Sequence, residues 1–193
     1  MWHKHGVKPP HSSRREPRGP RPPLVAATLD ALALHYVGRF ATSRRKLRDY
    51  LGRKLRERGW GGDTPADLEA IADRLAALGY IDDAAFAVSK ARVMSGRGLG
   101  GRRVAQALHG AGISDDDREP AQSLVEEERI EAALRHARKR RIGPFATAPL
   151  DPAQREKAVG AMIRAGHGFS LSRAIVMLAP GEVVDMHQLA EIR

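Results

Sequence analysis

Three times along this chain a short amphipathic stretch closes on a glycine, and the even spacing of those glycines constrains the fold more than any other feature. The clearest copies run Arg44-Arg45-x5-Leu51-x3-Leu55-x3-Gly59 and Arg102-Arg103-Val104-x3-Leu108-x3-Gly112; a weaker third runs Ala158-x3-Met162-x3-Gly166. The closing glycines lie 53 and 54 residues apart. A period of that length means one supersecondary unit reused along the chain. Each copy reads as a helix ended by glycine, the residue that enters the left-handed conformation without steric cost. The expected fold is therefore all-α: tandem three-helix repeats forming an elongated, curved array. Such an array offers a binding surface, not a catalytic pocket.

Composition narrows the class further. Hydrophobic residues make up 42% of the chain but aromatics only 5%, so the packing has to rest on Leu, Ala, Val and Ile. Leucine and alanine are also strong helix formers. Without cysteine, disulfides, thiolate catalysis and Cys-ligated zinc are excluded. No apolar run reaches the roughly 18 residues a membrane span needs, and the basic N-terminus lacks the apolar stretch of a signal peptide. The expectation is a cytoplasmic protein with no membrane contact.

The charge is strongly asymmetric. Residues 1–62 hold 15 Lys+Arg against 4 Asp+Glu, whereas the rest of the chain holds 18 against 19. Nearly all of the net +10 is therefore N-terminal. A concentrated positive field attracts polyanions, either nucleic acid or an acidic protein face. A solubilising tail with solvated helix faces is the plainer reading of the same charges.

Punctuation along the chain gives the expected organisation. Residues 1–23, with six prolines and four arginines, read as a disordered basic leader. Residues 24–79 form the first three-helix repeat: a helix carrying Leu29, Leu32, Tyr36 and Phe40, a second capped by Ser43, and a third opened by Thr64-Pro65. Residues 80–125 form the second, entered through Asp82 as N-cap, with an Ile81–Phe86 hydrophobic staple. Ser114 caps its last helix, and Pro120 is expected to interrupt that helix early. Residues 126–180 form a divergent third repeat, with a long loop over 143–150 and a helix start at Asp151-Pro152-Ala153-Gln154. Residues 181–193 read as a tail.

No catalytic constellation emerges: no serine sits in a nucleophile elbow, and the carboxylates lie at helix starts or among exposed cations. Asp82 and Asp83 read as caps. The turn Gly96-Arg97-Gly98-Leu99-Gly100-Gly101 superficially resembles a phosphate cradle but has no preceding strand and no Gly-Lys-Ser/Thr ending, so no cofactor is expected. Met1-Trp2-His3, with His5 and His11 nearby, suggests at most adventitious metal, and no functional metal site is expected. The informative chemistry is the arginine pair opening the middle helix of the first two repeats, because guanidinium presents a rigid donor fork to phosphate or carboxylate. Arg44, Arg45, Arg48, Arg97, Arg102 and Arg103 are the expected contact residues.

The strings Gly79-Tyr80-Ile81-Asp82-Asp83-Ala84-Ala85-Phe86-Ala87 and Gly101-Arg102-Arg103-Val104-Ala105-Gln106-Ala107-Leu108-x3-Gly112-Ile113 closely resemble the RecX regulatory-protein family. Ala31 to Gly59, with Arg39 and Ser43-Arg44-Arg45-x-Leu47, looks like that family's first repeat. The resemblance covers roughly residues 25–180 and weakens after Gly112. It implies a non-enzymatic modulator that binds the RecA nucleoprotein filament, blocks its extension, and dampens strand exchange, ATP hydrolysis and LexA-type coprotease activity. The protein is expected to be a monomer. Direct contact with single- or double-stranded DNA stays open. The rival reading is a general DNA-binding protein acting through its basic N-terminal third.

Overall fold

The computed structural model describes residues 21–192, and among these the only β element is an isolated bridge between Leu24 and Trp60. Everything else regular is helical. Helices α1 (Ala26–Arg39), α2 (Arg44–Arg58) and α3 (Leu68–Ala77) enclose a first core of Leu24, Leu29, Leu47, Leu51, Ile71 and Leu75. Helices α4 (Asp83–Gly96), α5 (Gly101–Gly110) and α6 (Asp115–Glu127) enclose a second around Ala87, Ala91, Val104, Leu108 and Ala121. Helices α7 (Arg129–Arg140), α8 (Pro152–Arg164) and α9 (Phe169–Met177) form a third around Met162, Leu171 and Ile175.

Hydrophobic spacing of three and four residues places these side chains on one helical face, and burying that face stabilises each unit. The second core is built largely of alanines, which lets α4 lie against α6 along most of its length. Among the described residues, hydrogen bonds between units join the first to the second and the second to the third, and none joins the first to the third. That neighbour-only pattern is the signature of a helical repeat.

Several expected starts hold. Ser43 accepts from Lys46 N–H, Asp82 from Ala85 N–H and Ser114 from Asp117 N–H. Asp151 and Gln154 form a reciprocal capping box at the head of α8.

Others differ. Thr64-Pro65 does not open α3: the helix begins at Leu68, and Asp67 is the cap, accepting from Ala70 N–H at 2.9 Å. Thr64 instead offers its carbonyl to Trp60 Nε1 at 2.7 Å, which holds residues 60–64 in a closed turn ahead of the helix. Pro120 does not interrupt α6. It lies in the second turn and deletes one backbone donor, while Ala121 beside it is fully buried and keeps the helix seated. The expected Ile81–Phe86 staple is split, because Ile81 is buried in the first core and Phe86 packs against the second. Beyond α9 the chain adds a short α10 (Met186–Ala190), capped by Asp185, whose Leu189 is buried in the third core. The Met1-Trp2-His3 chelate and the leader up to residue 20 lie outside the described residues.

Candidate partner-binding surface

Two joints between units are made from matching parts. At the first joint the N-terminus of α2 meets the C-terminal turn of α5. Ser43, fully buried, caps its own helix and donates its hydroxyl to the Ala111 carbonyl at 2.6 Å. The stem of Arg45 lies against Gly112, where a Cβ would collide with it. At the second joint the N-terminus of α5 meets the C-terminal turn of α8. Gly100 N–H donates to the Ala165 carbonyl at 2.9 Å and Arg102 N–H to the Gly166 carbonyl at 3.2 Å. Arg103 lies against Gly166 with both backbone and stem.

In each case the N-terminus of one middle helix sits on carbonyls at the C-terminal end of the next: through the Ser43 hydroxyl at the first joint, and through the backbone N–H groups of Gly100 and Arg102 at the second. The arrangement satisfies orphan polar groups at the helix termini. It also explains the closing glycines. Gly112 and Gly166 adopt positive φ, +72° and +100°, and their missing side chains are what the incoming helix occupies.

The arginine pairs, however, do not occupy matching positions. Counted from the caps Ser43 and Gly100, Arg44 and Arg45 are the first and second helical residues, whereas Arg102 and Arg103 are the second and third. The glycine period holds at the helix C-termini; α2 carries 15 residues and α5 only 10, so their N-terminal ends shift.

The six expected contact residues divide by whether a carboxylate holds them. Arg44 reaches Asp73 at 3.8 Å and Asp83 at 3.9 Å, and Arg48 pairs with Glu69. Both are committed to the packing of the first unit and its joint. Arg45, Arg97, Arg102 and Arg103 are exposed, and among the described residues no carboxylate pairs with them. Arg103 Nη1 donates to Gln106 Oε1 at 3.1 Å, which steers the guanidinium without neutralising it. Arg97 is placed by α7, whose Lys139 donates to its carbonyl at 3.0 Å. Arg102 lines a cleft of about 670 Å³ between the second and third units, with Leu99, Val125, Arg129, His167 and the half-exposed Phe169.

Other residues at the joints carry no signal in the repeat phrase. Lys46 from α2 and Lys90 from α4 both approach the ring of Phe86, at 5.3 and 6.0 Å from its centroid, and neither pairs with a carboxylate among the described residues. Together with Arg45 they add unneutralised positive charge near the first joint. At the second, His167 is buried with Nε2 3.0 Å from the Gly98 carbonyl, and the His136 ring lies 5.5 Å away. Burial holds both imidazoles below the usual histidine range; Arg140 and Lys139 push His136 the same way. The position of His167 immediately after closing glycine Gly166 is the one sequence hint that it belongs to a joint.

Among the described residues no group of three His, Asp or Glu side chains is placed to hold a metal ion, and no helix is long and apolar enough to cross a membrane.

Relatives of the chain share its extent. Regulatory protein RecX of Myxococcus xanthus (strain DK1622) is 31% identical over 173 residues, covering 84% of this chain and 92% of that protein. Regulatory protein RecX of Agrobacterium fabrum is 28% identical over 159 residues, covering 80% and 84%. Among solved structures, the crystal structure of RecX from Lactobacillus salivarius superposes with a TM-score of 0.61 at 22% identity, over 78% of this chain and 93% of that one. That last likeness speaks for the all-helical fold alone. No family model matches the chain. With a relative this similar over nearly the whole of both sequences, the chain belongs to the RecX family of regulatory proteins.

Proposed function

We propose that this protein is a negative regulator of the RecA recombinase, which it reaches by lying along the RecA–DNA filament in the cytoplasm as a monomer. In that role it limits filament extension and so dampens recombination, ATP hydrolysis and coprotease activity in DNA repair and the SOS response. It acts by occupancy and carries no catalysis of its own. The observation that carries this reading is the twice-built joint, which gives a repeat array with unneutralised arginines at each junction: Arg45 at the first, and Arg97, Arg102 and Arg103 at the second. A repeat array can lie along a filament, and unneutralised arginines at its joints suit an acidic protein surface or phosphates.

The test is RecA's single-strand-DNA-dependent ATP hydrolysis, with this protein titrated from far below to equal molarity at two salt concentrations. DNA binding by the protein alone is followed in parallel. Inhibition well below one protein per recombinase, at concentrations that leave free DNA uncoated, is the expected result.

One observation favours the second reading, general DNA binding: the concentration of 15 Lys+Arg against 4 Asp+Glu in residues 1–62. Phosphate-dominated binding loses roughly 10³–10⁵ in affinity between 50 and 200 mM salt for six to ten contacts. Inhibition that appears only at DNA saturation and vanishes with salt would therefore favour it, as would loss of activity on deleting residues 1–23.

A further inference from the structure

The first unit carries an aromatic ladder whose outermost ring, Phe40, takes no part in its core. Tyr36 and Tyr50 stack across α1 and α2, with centroids 4.2 Å apart and planes 15° from parallel, and Phe40 tilts against Tyr36 at 5.3 Å. The two tyrosines also pack on the edge of the first core, which accounts for them. Phe40 takes no part in that core. It follows the last residue of α1 in extended conformation and keeps 53% of its surface exposed.

Cations surround the ladder. The Arg39 guanidinium lies 6.0 Å from the Phe40 centroid, and Arg53 and Lys54 lie 5.7 and 5.9 Å from that of Tyr50. Lys54 pairs with Glu57, but among the described residues no carboxylate pairs with Arg39 or Arg53. Residues 35–58 as a whole carry nine Lys+Arg against Asp49 and Glu57.

An exposed phenyl ring costs solubility, and three contiguous aromatics are a large share of a chain that is only 5% aromatic. Unstacked bases are a chemistry that suits both halves of this patch: their faces stack on aromatic rings while arginines meet the phosphates. A duplex offers no open base face, so the ligand is single-stranded. We infer that the Tyr36–Phe40–Tyr50 ladder, flanked by Arg39 and Arg53, is a stacking site for single-stranded DNA. Only the choice of DNA over RNA rests on the proposed function; the stacking site is argued from the side chains alone.

Fluorescence anisotropy with a labelled thymidine oligonucleotide of about twenty nucleotides, against an abasic strand of equal length and charge, separates stacking from phosphate attraction. The wild-type protein should bind the base-bearing strand at least about fivefold more tightly, the low end of what one base stack contributes. Phe40→Ala should erase that preference while leaving abasic binding unchanged, and Phe40→Trp should keep it. Equal binding of the two strands by wild type overturns the inference, whatever the variants do. So does a base preference that survives Phe40→Ala. Tighter binding of oligouridine than of oligothymidine overturns the choice of DNA. RecA inhibition is read separately on the wild-type protein: inhibition without any base preference sinks this site alone, and a base preference without inhibition sinks the proposed function alone.

Discussion

Asp83 accepts the backbone N–H of Arg44, 39 residues earlier in the chain, at 3.1 Å. Its neighbour Asp82 caps α4, the helix that both of them begin. Two adjacent aspartates thus cap two different helices, and the second one fastens the joint between the first and second units. Asp83 is only 8% exposed, and burial pushes its carboxyl above the usual range against the pull of Arg44. The acceptor is therefore needed more than the charge. Asp83→Ala should destabilise the protein by about 1–3 kcal/mol, since the first N–H of α2 loses its acceptor at a partly buried joint. Asp83→Asn keeps an acceptor and should cost well under half as much. Urea unfolding of the two variants beside wild type measures the difference, and equal losses would mean that the ion pair matters more than the cap.

The closing glycines are not equivalent. A Cβ on Gly166 would lie 2.6 Å from the Arg103 backbone nitrogen and 2.8 Å from the Gly100 carbonyl oxygen, and neither can move without parting α5 from α8. A Cβ on Gly112 would lie 2.6 Å from Arg45 Cβ, which is fixed to the backbone of α2, so it cannot be accommodated without parting α2 from α5. Both positions carry positive φ, which alone costs a non-glycine residue about 1–2 kcal/mol. Gly166→Ala and Gly112→Ala should therefore each lower stability by several kcal/mol, whereas Gly59→Ala, at φ +77° with nothing within 4 Å of the added Cβ, should cost about that backbone amount alone. Thermal unfolding of the three variants decides it.

What could be read in the sequence follows from range. Helix existence, most starts and the repeat period are written in local spacing and capping residues, so Ser43, Asp82, Ser114 and Asp151 all announce their helices. The joints are not local. The Ser43 hydroxyl finds Ala111 across 68 residues, and Asp83 turns from its own helix to a neighbour's. No spacing rule separates Asp82 from Asp83 in those roles. The arginine pairs look equivalent as a phrase, yet only the structure separates Arg44 and Arg48, held by carboxylates, from Arg45, Arg102 and Arg103. Thr64-Pro65 misleads because its start signal is genuine chemistry; Trp60 takes the threonine carbonyl and Asp67 supplies a better cap one turn later.

The second joint should weaken in mild acid. His136 and His167 are held below the usual histidine range in the folded protein, so the unfolded chain takes up protons first as the pH drops. Their contribution to stability is complete above the unfolded value of about 6.5 and falls as the pH moves down toward the folded values. Of the groups facing them, Arg140 and Lys139 disfavour a charged His136 and His136 disfavours a charged His167, while the Gly98 carbonyl favours protonation of both; burial outweighs it. The urea midpoint of wild type should therefore drop between pH 7.5 and 5.5. A His136→Gln, His167→Gln double variant should show a flatter dependence over that window. A profile of unchanged slope in the double variant would place the acid sensitivity elsewhere.

The arginines separate partner binding from folding, and charge reversal can tell the two apart. Arg102 and Arg103 are exposed and free of carboxylates among the described residues, and their backbone nitrogens and stems, rather than their charges, build the second joint. Arg102→Glu with Arg103→Glu should leave helicity and the unfolding midpoint near wild type. The same pair should weaken inhibition of RecA's ATP hydrolysis at least about tenfold, the effect of about 1.4 kcal/mol of lost attraction. Arg44→Glu should do the opposite. It sets a carboxylate against Asp83, which burial already makes reluctant to ionise, and against Asp73, so the first joint loosens and stability falls by about 1–3 kcal/mol. Arg48→Glu breaks a partly exposed pair with Glu69 and should cost about 1 kcal/mol. Unfolding curves and inhibition titrations on the same three proteins complete the comparison. If the Arg102/Arg103 variant inhibits like wild type, the contact surface lies off the second joint.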